Sequence, residues 1–399
     1  MSMEVPERFA HLPTYAFPRL RALLGDVPPG GPELAMTIGE PRHPFPDWIG
    51  SEIAAHAEGF GRYPANEGTP ELLEAIGAWL GRRYGVAVGP ERIMALNGTR
   101  EGLFNAGLAL SPEAKGGKRP VVLTPNPFYQ VYAVAAAAVG AEPVFVPATE
   151  GTGFLPDYAG LPADVLDRVT LAYVCSPANP QGAVAGADYL ADLLRLAERH
   201  DFMVLADECY SEIWREAPPP GLLQVAAADG ADPERAMVFH SLSKRSSVPG
   251  LRSGFVAGGK EAMDRVRKLR SYAGAPVPPP VQHVSSLLWA DEDHVDASRA
   301  LYQEKFAMTE RVMEGVPGFA MPEAGFFLWV PVGARDDHDA EAAALRLWRE
   351  TGVRVLPGHY LAREVDGATP GRDRLRVALV APLDECEDGL TRLRACLFE

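Results

Sequence analysis

The sequence predicts an α/β protein with a large, doubly wound, mostly parallel sheet of seven strands and a second, smaller α+β domain. Seven short apolar runs lie between residues 93 and 258, and helical patterns separate several of them. Short apolar strands that alternate with helices are typical of parallel doubly wound sheets. A proline-rich joint at residues 274–280, with longer helical patterns after it, marks the start of the second domain.

The strand candidates are, in chain order, RIMAL, VVLT, PVFV, VTLAYV, FMVLA, AMVFH and SGFVAG. Amphipathic stretches such as ADYLADLLRLAERH lie between several of them. After the joint come two helical patterns, the run FFLWV, a third helix, the runs VRVLP and RLRVAL, and a last helix. We therefore expect an N-terminal arm with part of the small domain at 1–40, the large α/β domain at 41–280 and the small domain at 281–399.

Composition and charge exclude several classes of protein. The chain has 399 residues, 47% of them hydrophobic, and a formal net charge of -15. An acidic chain lacks the basic face that nucleic acids or anionic membranes require. No apolar run approaches the roughly 20 residues that span a bilayer, and the N-terminus lacks a secretory pattern. Its four cysteines show no paired spacing. We expect a cytoplasmic protein with reduced cysteines, no metal site, and no nucleic-acid or membrane partner.

The strand AMVFH runs into the serine-rich turn SLSKRSSVPGLRSGF, which contains Lys244 and, eight residues later, Arg252. A lysine amine attacks carbonyl groups when its surroundings lower its pKa, as in Schiff-base enzymes. The hydroxyls of Ser241 and Ser243, with the guanidinium of Arg252, suit a phosphate dianion. A solvated basic turn is the alternative for this string alone.

Two further strand ends carry polar groups. Asp207 ends the strand in FMVLADECYSEIW, and Tyr210 follows it; Asn179 lies between two prolines in VCSPANPQG. An acid at a strand end is often a helix cap or a metal ligand. With pyridoxal phosphate, however, a buried carboxylate keeps the pyridine nitrogen protonated, so that the ring can accept electrons. Tyr210 and Asn179 would then donate to the phenolate oxygen of that ring.

The string ALNGTREGLFNAGLAL places Gly98, Thr99 and Arg100 between a strand and a helix. Free amides at a helix N-terminus bind phosphate, and glycine lets the backbone approach closely; a capping threonine is the plainer alternative. In TPNPFYQVY, Phe128 or Tyr129 could stack on a flat ring or pack in the core.

The late strand RLRVAL carries Arg376, and Gly39 of TIGEP is a possible neighbour. The planar guanidinium is suited to bind the α-carboxylate of a substrate, although a lone arginine in a strand usually forms a surface ion pair.

The combination SPANP, DECY and SLSKRSSVPGLRSG resembles the fold-type I, class I/II aminotransferases, and the likeness runs from TIGEP through YPANEG to RLRVALV. A closer resemblance is to the succinyldiaminopimelate aminotransferases of bacterial lysine biosynthesis. The strings GEPRHPFP, NGTREGLF, PNPFYQVY and LPGHYLAREVDG carry it. The resemblance implies the pyridoxal-phosphate transferase fold and pyridoxal 5'-phosphate as the cofactor.

The resemblance also implies a role for each site residue. Lys244 would form the Schiff base, Asp207 would pair with the pyridine nitrogen, and Tyr129 would stack on the ring. Asn179 and Tyr210 would bind the phenolate oxygen. The residues that would hold the phosphate are Gly98, Thr99, Arg100, Ser241, Ser243 and Arg252. Tyr63 would reach the phosphate of a neighbouring subunit, which implies a homodimer with shared active sites. Gly39, Asn179 and Arg376 would bind the substrate.

The implied reaction moves an amino group between glutamate and a keto acid, N-succinyl-2-amino-6-oxopimelate, to give N-succinyl-LL-2,6-diaminopimelate. Alternatives on the same scaffold are an aspartate, alanine or aromatic aminotransferase, or a β-lyase. A regulator that binds the cofactor would need an added DNA-binding domain, and a dehydrogenase would need a GxGxxG turn, which the sequence lacks. Two departures from the family pattern, Ala178 and Gln181, stand where glycine and threonine are usual.

Overall fold

The structure is a computed structural model that describes residues 7–399 apart from residues 11 and 13. Its strands are β1 (Leu34–Ala35), β2 (Ile93–Leu96), β3 (Val121–Asn126), β4 (Glu142–Pro147), β5 (Val169–Cys175), β6 (Met203–Asp207), β7 (Ala236–Ser241), β8 (Gly254–Gly258), β9 (Phe327–Pro331), β10 (Val353–Arg354), β11 (Leu356–Pro357) and β12 (Arg374–Ala378).

The α-helices are α1 (Ala16–Leu24), α2 (Ile49–Ala55), α3 (Pro70–Tyr84), α4 (Thr99–Leu110), α5 (Val131–Ala138), α6 (Ala163–Leu166), α7 (Ala187–His200), α8 (Leu222–Asp229), α9 (Leu242–Arg245), α10 (Lys260–Arg270), α11 (Pro279–Ala290), α12 (Asp293–Val312), α13 (Ala340–Thr351) and α14 (Leu383–Phe398). Among the residues that the structure describes, no helix combines the length and apolar character needed to cross a bilayer.

The central sheet has seven strands in the order β2-β8-β7-β6-β5-β3-β4. The pairs from β7 through β4 are parallel, and β8 runs antiparallel to both of its neighbours. The predicted seven-stranded, mostly parallel sheet is therefore confirmed. Strands β2, β3, β5, β7 and β8 are buried along their whole length because helices cover both faces, which explains why they read as unbroken apolar runs.

The two faces of the sheet have separate cores. One contains buried residues of α3, α7, α8 and α11, and the other contains buried residues of α4, α5 and α10. Because β3, β5, β6 and β7 are parallel, their carboxyl ends lie along one edge of the sheet, where a crevice is expected.

A smaller unit packs α12, α13 and α14 against the three-stranded sheet β11-β12-β9. The N-terminal arm joins this unit, because β1 pairs with β10 and α1 packs against Trp348 and Tyr360.

The helix α11 spans one domain boundary expected from the sequence. The expected small domain began at residue 281, inside this helix. In the structure Val284, Leu288 and Trp289 are buried in the core of the large sheet, and α11 lies along α3. The proline-rich joint therefore precedes a helix whose apolar face belongs to the first core. We propose that the large unit extends to residue 290.

A buried ion pair ties α4 to α10 on one face of the sheet. The guanidinium of Arg270 is fully buried and bonds both carboxylate oxygens of Glu101. It also donates to the carbonyls of Asn66 and Ala275, each at 3.1 Å. A buried guanidinium that loses its carboxylate is costly, because the neutral carbonyls that remain do not offset the loss of its hydration.

Glu101→Gln is therefore expected to lower the free energy of unfolding by about 3 kcal/mol, measured by urea denaturation. Asp264→Asn, on α10 itself, is the matched control. Its carboxylate also pairs with an arginine, Arg267, but it is half exposed, so the urea midpoint should hardly move. Equal effects of the two substitutions would contradict this account.

Candidate active site

The carboxyl ends of the parallel strands open into a cavity of about 250 Å³. Cys175, Asp207 and Ser241 are the last residues of β5, β6 and β7, and all three line it. The N-terminal arm and the smaller unit complete the wall, through Phe17 and Phe327. The cavity thus lies where both structural units and the arm meet.

Twelve of the fourteen site residues predicted from the sequence line this cavity. They are Gly39, Thr99, Arg100, Tyr129, Asn179, Asp207, Tyr210, Ser241, Ser243, Lys244, Arg252 and Arg376. Gly98 directly precedes Thr99 and packs against Arg252, which both line it. The structure does not bring Tyr63 to it.

Lys244 lies on the short helix α9, directly after β7. The Ser241 hydroxyl accepts a hydrogen bond from the backbone N–H of Ser243 at 3.1 Å and so fixes the turn from strand to helix. Burial lowers the pKa of the Lys244 ammonium, and the neighbouring Arg252 acts in the same direction. Cys209 and Asp207 act in the opposite direction. A lysine in such surroundings holds a larger neutral fraction than a solvated one and is a better nucleophile.

The Asp207 carboxylate is buried at the centre of the cavity wall. The Tyr132 hydroxyl donates to its Oδ2 at 2.8 Å, and the backbone N–H of Cys209 points at its Oδ1 from 3.4 Å. Burial raises the pKa of Asp207, and these hydrogen bonds oppose the rise. The ring of Tyr132 stacks on that of Tyr173 at 4.5 Å, which holds its hydroxyl in place.

Sequence reasoning missed Tyr132. It lies three residues after Tyr129, one turn along the same string, and that spacing is the signal that could have found it. Its surroundings, VYAVAAAA, read as an apolar helix packed in the core.

At one end of the cavity the guanidinium of Arg252 lies beside the N-terminus of α4. Gly98 has a φ of 81°, and a side chain there would place its Cβ 2.0 Å from Nη2 of Arg252. Glycine is thus required for the guanidinium to approach the start of α4, at Thr99. The Thr99 hydroxyl contacts Sγ of Cys209 at 3.2 Å. The free amides of α4 and the Arg252 guanidinium form a cradle suited to an anion.

Arg100 and Tyr129 form a pair beside this cradle. Nε of Arg100 donates to the Tyr129 hydroxyl at 2.6 Å. The bond fixes the Tyr129 ring in the cavity wall.

Arg376, on β12, is buried and reaches both structural units. Its Nη1 donates to Oδ1 of Asn179 at 3.1 Å, and its Nη2 donates to the carbonyl of Thr37 at 2.7 Å. The guanidinium lies 4.3 Å above the centre of the Phe327 ring, a neighbour that sequence reasoning did not identify. A Cβ on Gly39 would approach that same ring to 2.6 Å, so glycine is needed there.

The Arg376 guanidinium lacks a carboxylate partner within the described residues, and its Nε donates no hydrogen bond there. Burial lowers its pKa to about 10, so it remains charged at neutral pH. A buried cation that faces a cavity and lacks a carboxylate partner has the charge that suits an anionic group.

Tyr210 contacts Phe326 and Phe327 by its ring, at 5.3 and 5.9 Å between centroids. Burial raises the pKa of its hydroxyl, which therefore stays protonated and able to donate.

Tyr63 is fully exposed on the loop that precedes α3. Phe60 and Tyr272 are also largely exposed. The predicted role of Tyr63 in a neighbouring subunit needs a second copy of the chain and stays a prediction.

Comparison with known proteins gives a consistent result. The family described as aminotransferase class I and II matches residues 32–393. The chain is 32% identical over 405 residues to an LL-diaminopimelate aminotransferase of Desulforudis audaxviator, covering 100% of this chain and 99% of that protein. Against an LL-diaminopimelate aminotransferase of Dehalococcoides mccartyi the identity is 30% over 400 residues, with 98% of each covered. A crystal structure of an aminotransferase from Neisseria meningitidis has a TM-score of 0.92 and 37% identity, covering 98% of this chain and 99% of that one.

The surroundings of Lys244 predict selective labelling. In protein freed of bound carbonyl compounds, a limiting amount of a small aldehyde with cyanoborohydride should modify Lys244 before Lys260 near neutral pH. Burial lowers the pKa of Lys244, whereas Asp264 raises that of the exposed Lys260, so the neutral amine is more abundant at Lys244. Peptide mass spectrometry measures the order, and earlier labelling of Lys260 would contradict it.

Proposed function

The chain belongs to the class I and II aminotransferases, and from this premise we propose that it transfers an amino group from glutamate to N-succinyl-2-amino-6-oxopimelate. The products are 2-oxoglutarate and N-succinyl-LL-2,6-diaminopimelate. The enzyme depends on pyridoxal phosphate, as the resemblance implied. The substrate and the donor are the parts of this statement that need a test.

The cavity fits pyridoxal phosphate in three respects. Gly98 lets the Arg252 guanidinium approach the N-terminus of α4, and the two together form a cradle that suits the phosphate. Asp207 offers a buried carboxylate for a protonated ring nitrogen, and Lys244 offers an amine for the aldehyde carbon. Arg252, Asp207 and Lys244 all line the same cavity, so one cofactor molecule can meet all three.

Bound pyridoxal phosphate supplies a ring that accepts electrons from the α-carbon of an amino acid. In our proposal Nζ of Lys244 is the general base that removes the α-proton of glutamate, and it returns a proton to the α-carbon of the second substrate. Asp207 holds the proton on the ring nitrogen, and the Tyr132 hydroxyl keeps the carboxylate in position. Asn179 and Tyr210 donate to the phenolate oxygen, and the Tyr129 ring stacks on the pyridine ring.

Arg376 binds the α-carboxylate of both substrates. Its Nη1 and Nη2 donate to Asn179 and to the carbonyl of Thr37, which hold the guanidinium at the cavity wall. Both of these partners are neutral, so the positive charge of Arg376 is left for the substrate carboxylate. Gly39 leaves room for the substrate beside Phe327.

A second cavity, of about 510 Å³, supports a long and multiply charged substrate. It shares Phe17 and Ile38 with the first cavity as a common wall. Arg21, Arg42 and Arg354 line it, and of these only Arg42 forms an ion pair in the described part of the chain, with Glu385. Glu33 and Glu40 line it as well, so the cavity offers an anion the individual guanidinium groups of Arg21 and Arg354 and not a net positive charge. The proposed keto acid carries two carboxylates at its far end, and such a cavity suits them.

The names of the curated relatives favour a second candidate. Both proteins cited above are called LL-diaminopimelate aminotransferases, and LL-diaminopimelate lacks the succinyl group. The choice between the two candidates rests on whether the enzyme requires that group.

A homodimer is part of the proposal. Tyr63 would reach the phosphate bound by the partner subunit, and its full exposure in one chain supports this. The cytoplasmic location expected from the sequence stays a prediction.

The reverse reaction tests the substrate. With 2-oxoglutarate as acceptor, the rate of glutamate formation is measured for N-succinyl-LL-2,6-diaminopimelate and for LL-2,6-diaminopimelate. We expect kcat/KM to be at least about tenfold higher with the succinylated donor, because only it can place a second carboxylate in the arginine-lined cavity.

A preference for the unmodified donor would favour the second candidate. If the enzyme used neither of these donors but did use aspartate, alanine or an aromatic amino acid, it would still be an aminotransferase. The proposed substrate would then be overturned. A β-lyase would release a keto acid and ammonia without an acceptor.

A further inference from the structure

Three potential metal ligands meet on the surface, apart from both cavities described above. Glu52 lies on α2, His56 follows the end of that helix, and His283 lies on α11. Each side chain is roughly one-third exposed, so an ion could enter from solvent. The sequence gives no sign of a metal site here. A glutamate and a histidine four residues apart are common on helices, and the third side chain comes from another helix.

The donor atoms converge on a single carboxylate oxygen. Nε2 of His283 lies 3.0 Å from Oε2 of Glu52, and Nδ1 of His56 lies 3.7 Å from the same atom. The two imidazole rings stack, with centroids 3.6 Å apart and planes inclined by 28°. All three donors lie within 4.8 Å of one another.

These spacings are close to those of a zinc site. In tetrahedral coordination, with bonds of about 2.0–2.1 Å, neighbouring ligand atoms are roughly 3.3 Å apart. The two measured separations lie on either side of that value, and the third, between the two imidazole nitrogens, is at most 4.8 Å. Because the rings are stacked, at least one of them must turn before both nitrogens face the same ion. Imidazole and carboxylate are ordinary zinc ligands, and water from the exposed side could complete the coordination.

One present contact competes with the metal. Nδ1 of His56 also lies 2.9 Å from the carbonyl oxygen of Glu52. An ion at Nδ1 must displace the proton that makes this hydrogen bond, and the ring then carries its proton on Nε2. The carbonyl is close enough to remain beside the ion.

We propose that Glu52, His56 and His283 bind a divalent transition-metal ion, for which Zn²⁺ is the best match. The ion would link α2 to α11. The segment that follows α2 is already anchored on α11 at two points. Gly59 packs on Pro279 and Pro280 at the start of α11. The side-chain oxygen of Gln282 accepts a hydrogen bond from the backbone N–H of Thr69 at 2.6 Å.

A bound ion would therefore restrain the segment 57–68, which carries Tyr63. The proposal does not depend on which amino acid the enzyme uses.

The test is calorimetric titration with ZnCl₂ of the cofactor-loaded protein, prepared without a histidine tag and stripped of metal. We expect one ion per chain, a rise in melting temperature on binding, and affinity at least about tenfold weaker in His56→Gln and in His283→Gln. His200→Gln is the matched control, because His200 also pairs with a carboxylate, that of Asp167, on a different helix. It should bind as the original chain does.

Unchanged melting temperatures without metal show that the variants fold. Absence of saturable zinc binding by the original chain would overturn the proposal, and so would equal affinity in His283→Gln and the original chain. Co²⁺ in place of zinc should give the visible absorption of a low-coordinate site, which His283→Gln should lose.

Discussion

The removal of charged groups from water is the constraint on which this site depends. Lys244, Asp207 and Arg376 all line one cavity, and burial shifts the pKa of each toward its neutral form. Asp207 and Arg376 are stabilised by hydrogen bonds from or to neighbouring groups, and all three side chains keep some capacity to bind another partner. A cofactor with a phosphate and a ring nitrogen, and a substrate with a carboxylate, supply those partners. Because these groups have lost their hydration, they bind the charged groups of the cofactor and the substrate more favourably than solvated side chains would.

The fold makes this arrangement possible by bringing separate parts of the chain to one edge. Parallel pairing aligns the ends of β5, β6 and β7, so Asp207 and Lys244 come together although they are distant in sequence. Arg376 comes from the smaller unit, yet it contacts Asn179 of the large unit and Thr37 of the arm. The substrate end of the cavity therefore exists only when these three parts are packed together.

Much of this could be predicted from the sequence, for a physical reason. Apolar runs identify buried strands, and polar residues directly after parallel strands must face the same crevice. Tyr132 was missed because a buried tyrosine in an alanine-rich helix reads as core until its partner, Asp207, is placed in space. His56 and His283, which we propose as metal ligands, were missed because only the fold brings them to the same carboxylate. We propose a boundary at residue 290 in place of the one expected near 281, because proline content marks a joint but does not show which core the next helix joins. The roles of the site residues and of Tyr63 stay predictions.

The most direct measurement is the absorption spectrum of the purified protein, recorded before and after glutamate is added without a keto acid. The account predicts a band between about 360 and 430 nm from the cofactor joined to Lys244, and glutamate should remove it as the amino group is transferred. Adding N-succinyl-2-amino-6-oxopimelate should restore the band. If no such band forms after incubation with pyridoxal phosphate, the central claim that Lys244 holds this cofactor is contradicted.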